Sequence, residues 1–286
     1  MRRDQKLALV LVAPLIIVLI GLIAYPFCMS IYTSLTDKRI GLPGTFIGLR
    51  NYISLFQDEI FLQTLENTGI YTAVSVFLKG ILGLTLALML KQITHGRRWF
   101  RVLIFLPWVV PQSLGVLVWR WMFDPSPFCV LNWLLQHSGI VHTGVPWLAD
   151  PFWARFSILT VNVWRGIPFF TVCFLAGLVG IPEEFYEAAK VDGANSARRF
   201  AYITLPLLRP ILGIVILYSI VMTVGDFVIV QVLTAGAPLG KTHLLGTLAY
   251  QVGLAGTKIG QGAAISLFIF PVLIIGAYFL LRIILR

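Results

Sequence analysis

The chain has 286 residues, 58% of them hydrophobic and only 12% charged, with a net charge of +10. Soluble domains are about 25% charged, and a water-soluble fold of this length could not cover so much apolar surface with polar groups. Cytosolic, fibrous and disordered classes are excluded, lipid is the solvent for much of the chain, and the basic excess is first a topology signal rather than a nucleic-acid footprint.

A helix needs about 20 apolar residues to cross a hydrocarbon core of about 30 Å. Six segments reach that length: 7–31, 68–90, 102–123, 152–179, 208–233 and 263–285. The first follows Met1-Arg2-Arg3. It is much longer than the apolar core of a signal peptide and no small-residue cleavage site follows it, so it reads as a retained span. Pro107 and Pro111 interrupt the third, and Asn162, Arg165 and Pro168 interrupt the fourth.

With the N-terminus inside, thirteen of the 22 lysines and arginines fall in cytoplasmic segments and seven outside; Lys79 and Arg165 lie within spans. The bias predicts both termini in the cytoplasm. Trp99, Trp119, Trp121, Trp147 and Trp153, near segment ends, read as an interfacial belt.

The outer connections, 32–67, 124–151 and 234–260, are too short for a receptor domain. No cytoplasmic segment could form a nucleotide-binding domain, so ATP, if used, is used by a partner. Ala235-Gly236-Ala237-Pro238-Leu239-Gly240-Lys241-Thr242 fits a relaxed phosphate-loop pattern. A working loop of that kind needs a buried strand before it and a helix after it. Here a span precedes it and the topology puts it outside, so it reads as a Gly/Pro-rich external loop. Cys28, Cys129 and Cys173 are too scattered for a disulfide framework, and His95, His137, His142 and His243 show no ligand spacing. No metal site is expected.

Between the fourth and fifth spans the chain reads Ile181-Pro182-Glu183-Glu184-Phe185-Tyr186-Glu187-Ala188-Ala189-Lys190-Val191-Asp192-Gly193-Ala194. Pro182 suits a first helical turn, the glutamates suit a helix N-terminus, and Gly193 suits a stop. The result is a short exposed helix with a small-residue face open to close approach by another backbone. An ordinary loop helix is the alternative reading. The spacing of Glu187-Ala188-Ala189, Asp192-Gly193-Ala194, Phe200, Ile203, Leu205-Pro206 and Pro210 resembles the EAA loop of permease subunits of binding-protein-dependent ABC importers. With Ile181-Pro182-Glu183-Glu184 before it, the wording most resembles the carbohydrate-uptake branch, the relatives of the maltose permease. Ala13-Pro14, Tyr25-Pro26, Gly48-Leu49-Arg50-Asn51-Tyr52 and Ala263-Ala264-Ile265-Ser266 add to the likeness.

The resemblance implies an all-α membrane protein: one transmembrane domain over 1–286, six spans, both termini cytoplasmic, and a coupling loop at about 181–210. It implies a non-enzymatic permease in the bacterial cytoplasmic (inner) membrane. Its partners would be a second, homologous permease (a heterodimer), two ATPase subunits and a periplasmic or lipid-anchored binding protein. ATP and Mg would sit on the ATPases, and this chain would hold no cofactor and bind no nucleic acid. Glu187, Ala188, Ala189, Asp192, Gly193, Ala194, Phe200, Leu205 and Pro206 would form the coupling surface.

A solute path is sought among polar residues within spans, which usually face a cavity or a partner. On the fourth, Asn162, Arg165, Gly166 and Phe169 share one side, and Pro168 can kink the helix. On the fifth, Ser219, Thr223 and Asp226 recur at i, i+4, i+7; on the third, Trp108 and Gln112 are one turn apart. Arg165 and Asp226 are expected to approach each other in at least one state, and Lys79 to serve packing or contact a second permease. Internal packing is the alternative for all of these. Within the importer class a polyol, a glycerophosphodiester or an amino acid remains an alternative solute. A self-sufficient secondary transporter leaves the EAA pattern unexplained, and a membrane-embedded enzyme lacks its cluster of His, Asp or Glu.

Overall fold

The computed structural model of the protein describes residues 3–93 and 96–284. Arg2, His95, Leu285 and Arg286 lie outside them. Among the described residues, regular structure is helical apart from the isolated bridges Thr36–Phe46 and Arg39–Leu42. Helices long and apolar enough to cross a membrane lie at Leu11–Ser34, Glu59–Gln92, Pro151–Val179, Ser196–Val224 and Ile259–Gly276. A bent pair, Arg98–Val109 with Gln112–Met122, supplies a sixth if it counts as one span. The all-helical expectation therefore holds, with five of the six expected spans matched by a single helix and the third by the bent pair.

The third span, expected as 102–123, bends by 91° between those two helices. Pro111 causes the break: its ring forces Val110 out of the helical region, to φ −64° and ψ 131°. Pro107 sits inside the helix Arg97–Val109 without ending it. The fifth span, expected as 208–233, stops at Val224, and Val228–Leu233 is a separate short helix. Gly225 and Asp226 are weak helix formers, and the Asp226 N–H turns back onto the Thr223 carbonyl at 3.1 Å. Asp226 thus lies in a break, not on the helical face that carries Ser219 and Thr223. The belt also needs correction at Trp147. It is buried, and its indole N–H donates to Asn132 Oδ1 at 2.9 Å.

The described chain divides into two compact units, Met1–Leu62 with Leu248–Phe268, and Gln63–Thr247 with Ile269–Arg286. In the first, the helices Arg3–Leu19, Ile20–Ala24 (a π-helical stretch) and Tyr25–Ser34 follow one another along the first span. Its end is held by the Gly48–Tyr52 stretch: Asn51 Nδ2 donates to the Ser34 and Thr36 carbonyls at 2.7 and 2.8 Å, and the Tyr52 and Ser34 hydroxyls are 2.8 Å apart. Gly260 lies against the Thr33 and Thr36 carbonyls with no room for a side chain. Gly253 and Gly262 likewise cross backbone to backbone. Small residues permit such approach where lipid removes the usual hydrophobic drive for helix association.

The second unit holds two apolar clusters. One gathers Tyr71, Phe123, Trp147, Ile158, Val161, Ile229 and Leu244; the other gathers Leu90, Phe170, Phe174, Leu178, Leu208 and Val215. Gly83 packs on Phe170, and Gly177 accepts Leu208 and Ile211. Along the helix Pro151–Val179, residues 162–169 separate the two clusters, and the polar residues collect there.

Candidate functional site

Two places in the second unit carry the residues singled out from the sequence. The first is a cavity of about 340 Å³, within the range of small-molecule sites, roughly 300–1,000 Å³. The broken third span, the fourth helix and the end of the fifth all reach it. Trp108, Gln112, Asn162, Arg165, Gly166 and Phe169 line it, together with Thr223 and Asp226. The structure thus brings all eight expected path residues to one cavity.

Asp226 is buried, and three neutral side chains donate to its carboxylate. The Tyr71 hydroxyl and Asn162 Nδ2 each donate to Oδ2 at 2.8 Å, and Gln112 Nε2 donates to Oδ1 at 3.3 Å. Each donor comes from a different helix, so the carboxylate ties the second, third and fourth spans to the break after the fifth. Asn162 Oδ1 is buried with no partner.

Arg165 does not pair with Asp226 here. Its Nη1 donates to the Val110 carbonyl at 3.1 Å. Val110 caps the helix Arg97–Val109, and its carbonyl belongs to the C-terminal end that a cation complements. Among the described residues, the one ion pair within 4.0 Å is Lys91–Glu183.

Lys79 is more than a packing residue. It is buried in the cavity wall, its stem crosses Gly166, and its ammonium donates to Thr223 Oγ1 at 3.0 Å. A Cβ on residue 166 would lie 2.6 Å from Lys79 Cδ and Cε, so glycine there lets a lysine of the second helix reach the fifth. Phe169 and Tyr218 face each other with centroids 4.6 Å apart. Tyr71, which bonds Asp226, and Tyr218, which lines the cavity, were not singled out from the sequence. A signal existed for the second helix: Tyr71, Ser75 and Lys79 recur every fourth residue, and all three are buried.

The second place is the helix Glu183–Val191. Pro182 is its N-cap, one position before the expected first turn. Its inner side is anchored, with the Tyr186 hydroxyl 2.9 Å from Thr204 Oγ1 and the Lys91 ammonium 4.7 Å from the Tyr186 ring centroid. Its outer side is open among the described residues: Phe185, Glu187, Ala188 and Val191 are exposed. The helix closes in a Schellman motif, with Gly193 N–H on the Lys190 carbonyl at 3.0 Å and Ala194 N–H on the Ala189 carbonyl at 2.8 Å. Gly193 has φ +77° and open space where a Cβ would be. Its left-handed backbone conformation by itself favours glycine. Asp192 is the C-cap, and Phe200 opens a π-helical turn to Thr204 that leads into Leu205 and Pro206.

The 235–242 loop is bonded within itself and to its neighbours, the Lys241 carbonyl accepting from Asn67 Nδ2 at 2.9 Å and Arg155 Nε at 3.1 Å. The Lys241, Thr242 and His243 amides bond the Pro238, Gly236 and Gly240 carbonyls, and the Thr242 hydroxyl bonds Thr234 Oγ1 and the Ala237 carbonyl. The preceding element is the helix Val228–Leu233, not a strand.

Apolar spans, a polar cavity at broken helices and a short exposed helix define a multi-pass membrane transport subunit. Residues 79–286 match the family of binding-protein-dependent transport system inner membrane components, and the chain belongs to that family as a permease subunit. It is 36% identical to the trehalose/maltose transport system permease MalF of Thermococcus litoralis, over 94% of this chain and 90% of the relative. It is 35% identical to the sulfoquinovosyl glycerol transport system permease SmoG of Agrobacterium fabrum, over 93% and 86%. Its fold matches a chain of a bacterial ABC transporter involved in the import of the acidic polysaccharide alginate, with a TM-score of 0.82 at 23% identity, over 98% of this chain and 96% of that one.

Proposed function

We propose that this permease carries a sugar or related polyhydroxy solute inward, received from a binding protein outside, with a second permease closing the path and two ATPase subunits driving it. The observation that supports this most is the cavity. It joins an aromatic pair, Phe169 and Tyr218, to a buried amide oxygen without a donor, Asn162 Oδ1. Aromatic faces suit sugar rings, and an orphaned buried acceptor suits a hydroxyl. The relatives named for trehalose/maltose and sulfoquinovosyl glycerol transport support the same solute class. The exposed side of Glu183–Val191 would dock on an ATPase and pass its closure to the spans as a rigid-body movement.

The test is reconstitution of this permease with its cognate second permease, ATPases and binding protein. Sugars, polyols, glycerophosphodiesters and amino acids are then compared for uptake and for stimulation of ATP hydrolysis. Stimulation by sugars is expected. Stimulation by amino acids alone would sink the solute assignment.

Orientation is tested separately. With the native cysteines replaced, Leu239→Cys and Val191→Cys are compared, both positions being 87–89% exposed. An impermeant thiol reagent is expected to label position 239 from outside the inner membrane, and position 191 only once that membrane is opened. The reverse order would invert the topology.

A further inference from the structure

We propose that the solute is an acidic sugar, one that carries a carboxylate, sulfonate or phosphate, and that Lys79 and Arg165 receive its anionic group; this rests on the sugar-import reading above. The argument begins with charge. The cavity wall holds two cations, Lys79 and Arg165, and one acid, Asp226. Asp226 does not neutralise them at short range. Neither cation lies within 4.0 Å of it, and its oxygens are taken by Tyr71, Asn162 and Gln112.

Each cation instead meets a neutral oxygen, the Thr223 hydroxyl for Lys79 and the Val110 carbonyl for Arg165. An ammonium and a guanidinium each have several N–H donors, and each spends one here. The rest remain for a ligand in the cavity that both side chains line. Charged groups within spans are costly unless paired or hydrated. A wall with an uncompensated positive charge therefore favours an anion over a neutral solute of the same shape.

The geometry refines the class. The planar fork of arginine suits the paired oxygens of carboxylate, sulfonate or phosphate, and lysine adds a compact point charge. Asn162 Oδ1, buried and unpartnered, accepts from a hydroxyl, and Phe169 and Tyr218 supply ring faces. A simple inorganic anion would leave the acceptor and the aromatic pair unused. A neutral sugar would leave the wall, with two cations against the one acid Asp226, at a net positive charge.

The test uses the complete importer in proteoliposomes with matched probes: galactose with galacturonate, glucose with glucose 6-phosphate, and the β-1,4-linked dimers of galactose and of galacturonate. Uptake of at least one acidic member is expected to exceed that of its neutral partner by about tenfold. Which acidic probe is preferred separates carboxylate from phosphate. Lys79→Met and Arg165→Gln should each remove most of that preference, read as the ratio of acidic to neutral uptake within the same variant, whatever the loss common to both probes. The charge-retaining Lys79→Arg and Arg165→Lys variants should keep part of it, which separates charge from folding. Preference for the neutral members, unchanged in the variants, would overturn the acidic assignment and leave the sugar reading in place. Failure of every probe, with amino acids transported instead, would overturn both.

Discussion

Replacing Asp226 by alanine is expected to abolish transport and to lower the stability of the assembled permease by about 3–5 kcal/mol, the range for dismantling a buried charged network. The size follows from what the carboxylate holds. Tyr71, Asn162 and Gln112 converge on it from three helices. Hydrogen bonds to a charged group contribute about 1.5–3 kcal/mol each, and buried donors left bare add their own penalty. Asp226→Asn should recover most of the fold. Its amide oxygen can still serve Tyr71 and Asn162, and Gln112 can turn its own amide to accept. Thermal unfolding of the purified complex and uptake in proteoliposomes measure both effects. An alanine variant that unfolds and transports like the native protein would refute this role. A double-mutant cycle gives a finer check. Tyr71→Phe with Asp226→Asn should depart from additivity more than Arg165→Gln with Asp226→Asn, because Arg165 is bonded to Val110 and not to Asp226.

Gly193→Val is expected to reduce uptake by about tenfold while the protein still inserts in the membrane. Residue 193 has φ +77°, a conformation that costs a residue with a Cβ about 1–2 kcal/mol and a β-branched one more. About 1.4 kcal/mol is a factor of ten. The strain falls on the Schellman closure of Glu183–Val191, so the exposed side with Phe185, Glu187 and Ala188 would lose its fixed end. The spans do not pass through this loop, so insertion should survive. Gly193→Asn should retain most of the activity, since asparagine tolerates left-handed backbone. A valine variant with native uptake would show that the cap has no part in coupling.

The main architecture was legible because lipid imposes a simple rule. A span must be long, apolar and helical, and five of the six apolar segments obey it outright, the third being a bent pair of helices. The EAA spacing was legible for a related reason: its helix start, small residues and glycine stop are local features. Errors appeared where a local rule met a neighbour. Pro107 and Pro111 look alike in the sequence, yet only Pro111 ends a helix, and Arg165 occupies the carbonyl exposed by that break. Asp226 fitted the face of Ser219 and Thr223 by spacing alone, but the chain leaves the helix at Gly225.

Sequence alone determined the solvent of the chain, the positions of its apolar segments, the position of the exposed helix and the set of polar residues that must find company inside a membrane. Composition and periodicity suffice for these, because each depends on a segment by itself. Tertiary structure decided which of those residues meet. Asp226 chose Tyr71, Asn162 and Gln112 over Arg165, Lys79 crossed Gly166 to reach Thr223, and Trp147 turned inward to Asn132. Such choices depend on where helices break and how closely glycines let them approach, so they belong to pairs of segments and cannot be read from either one.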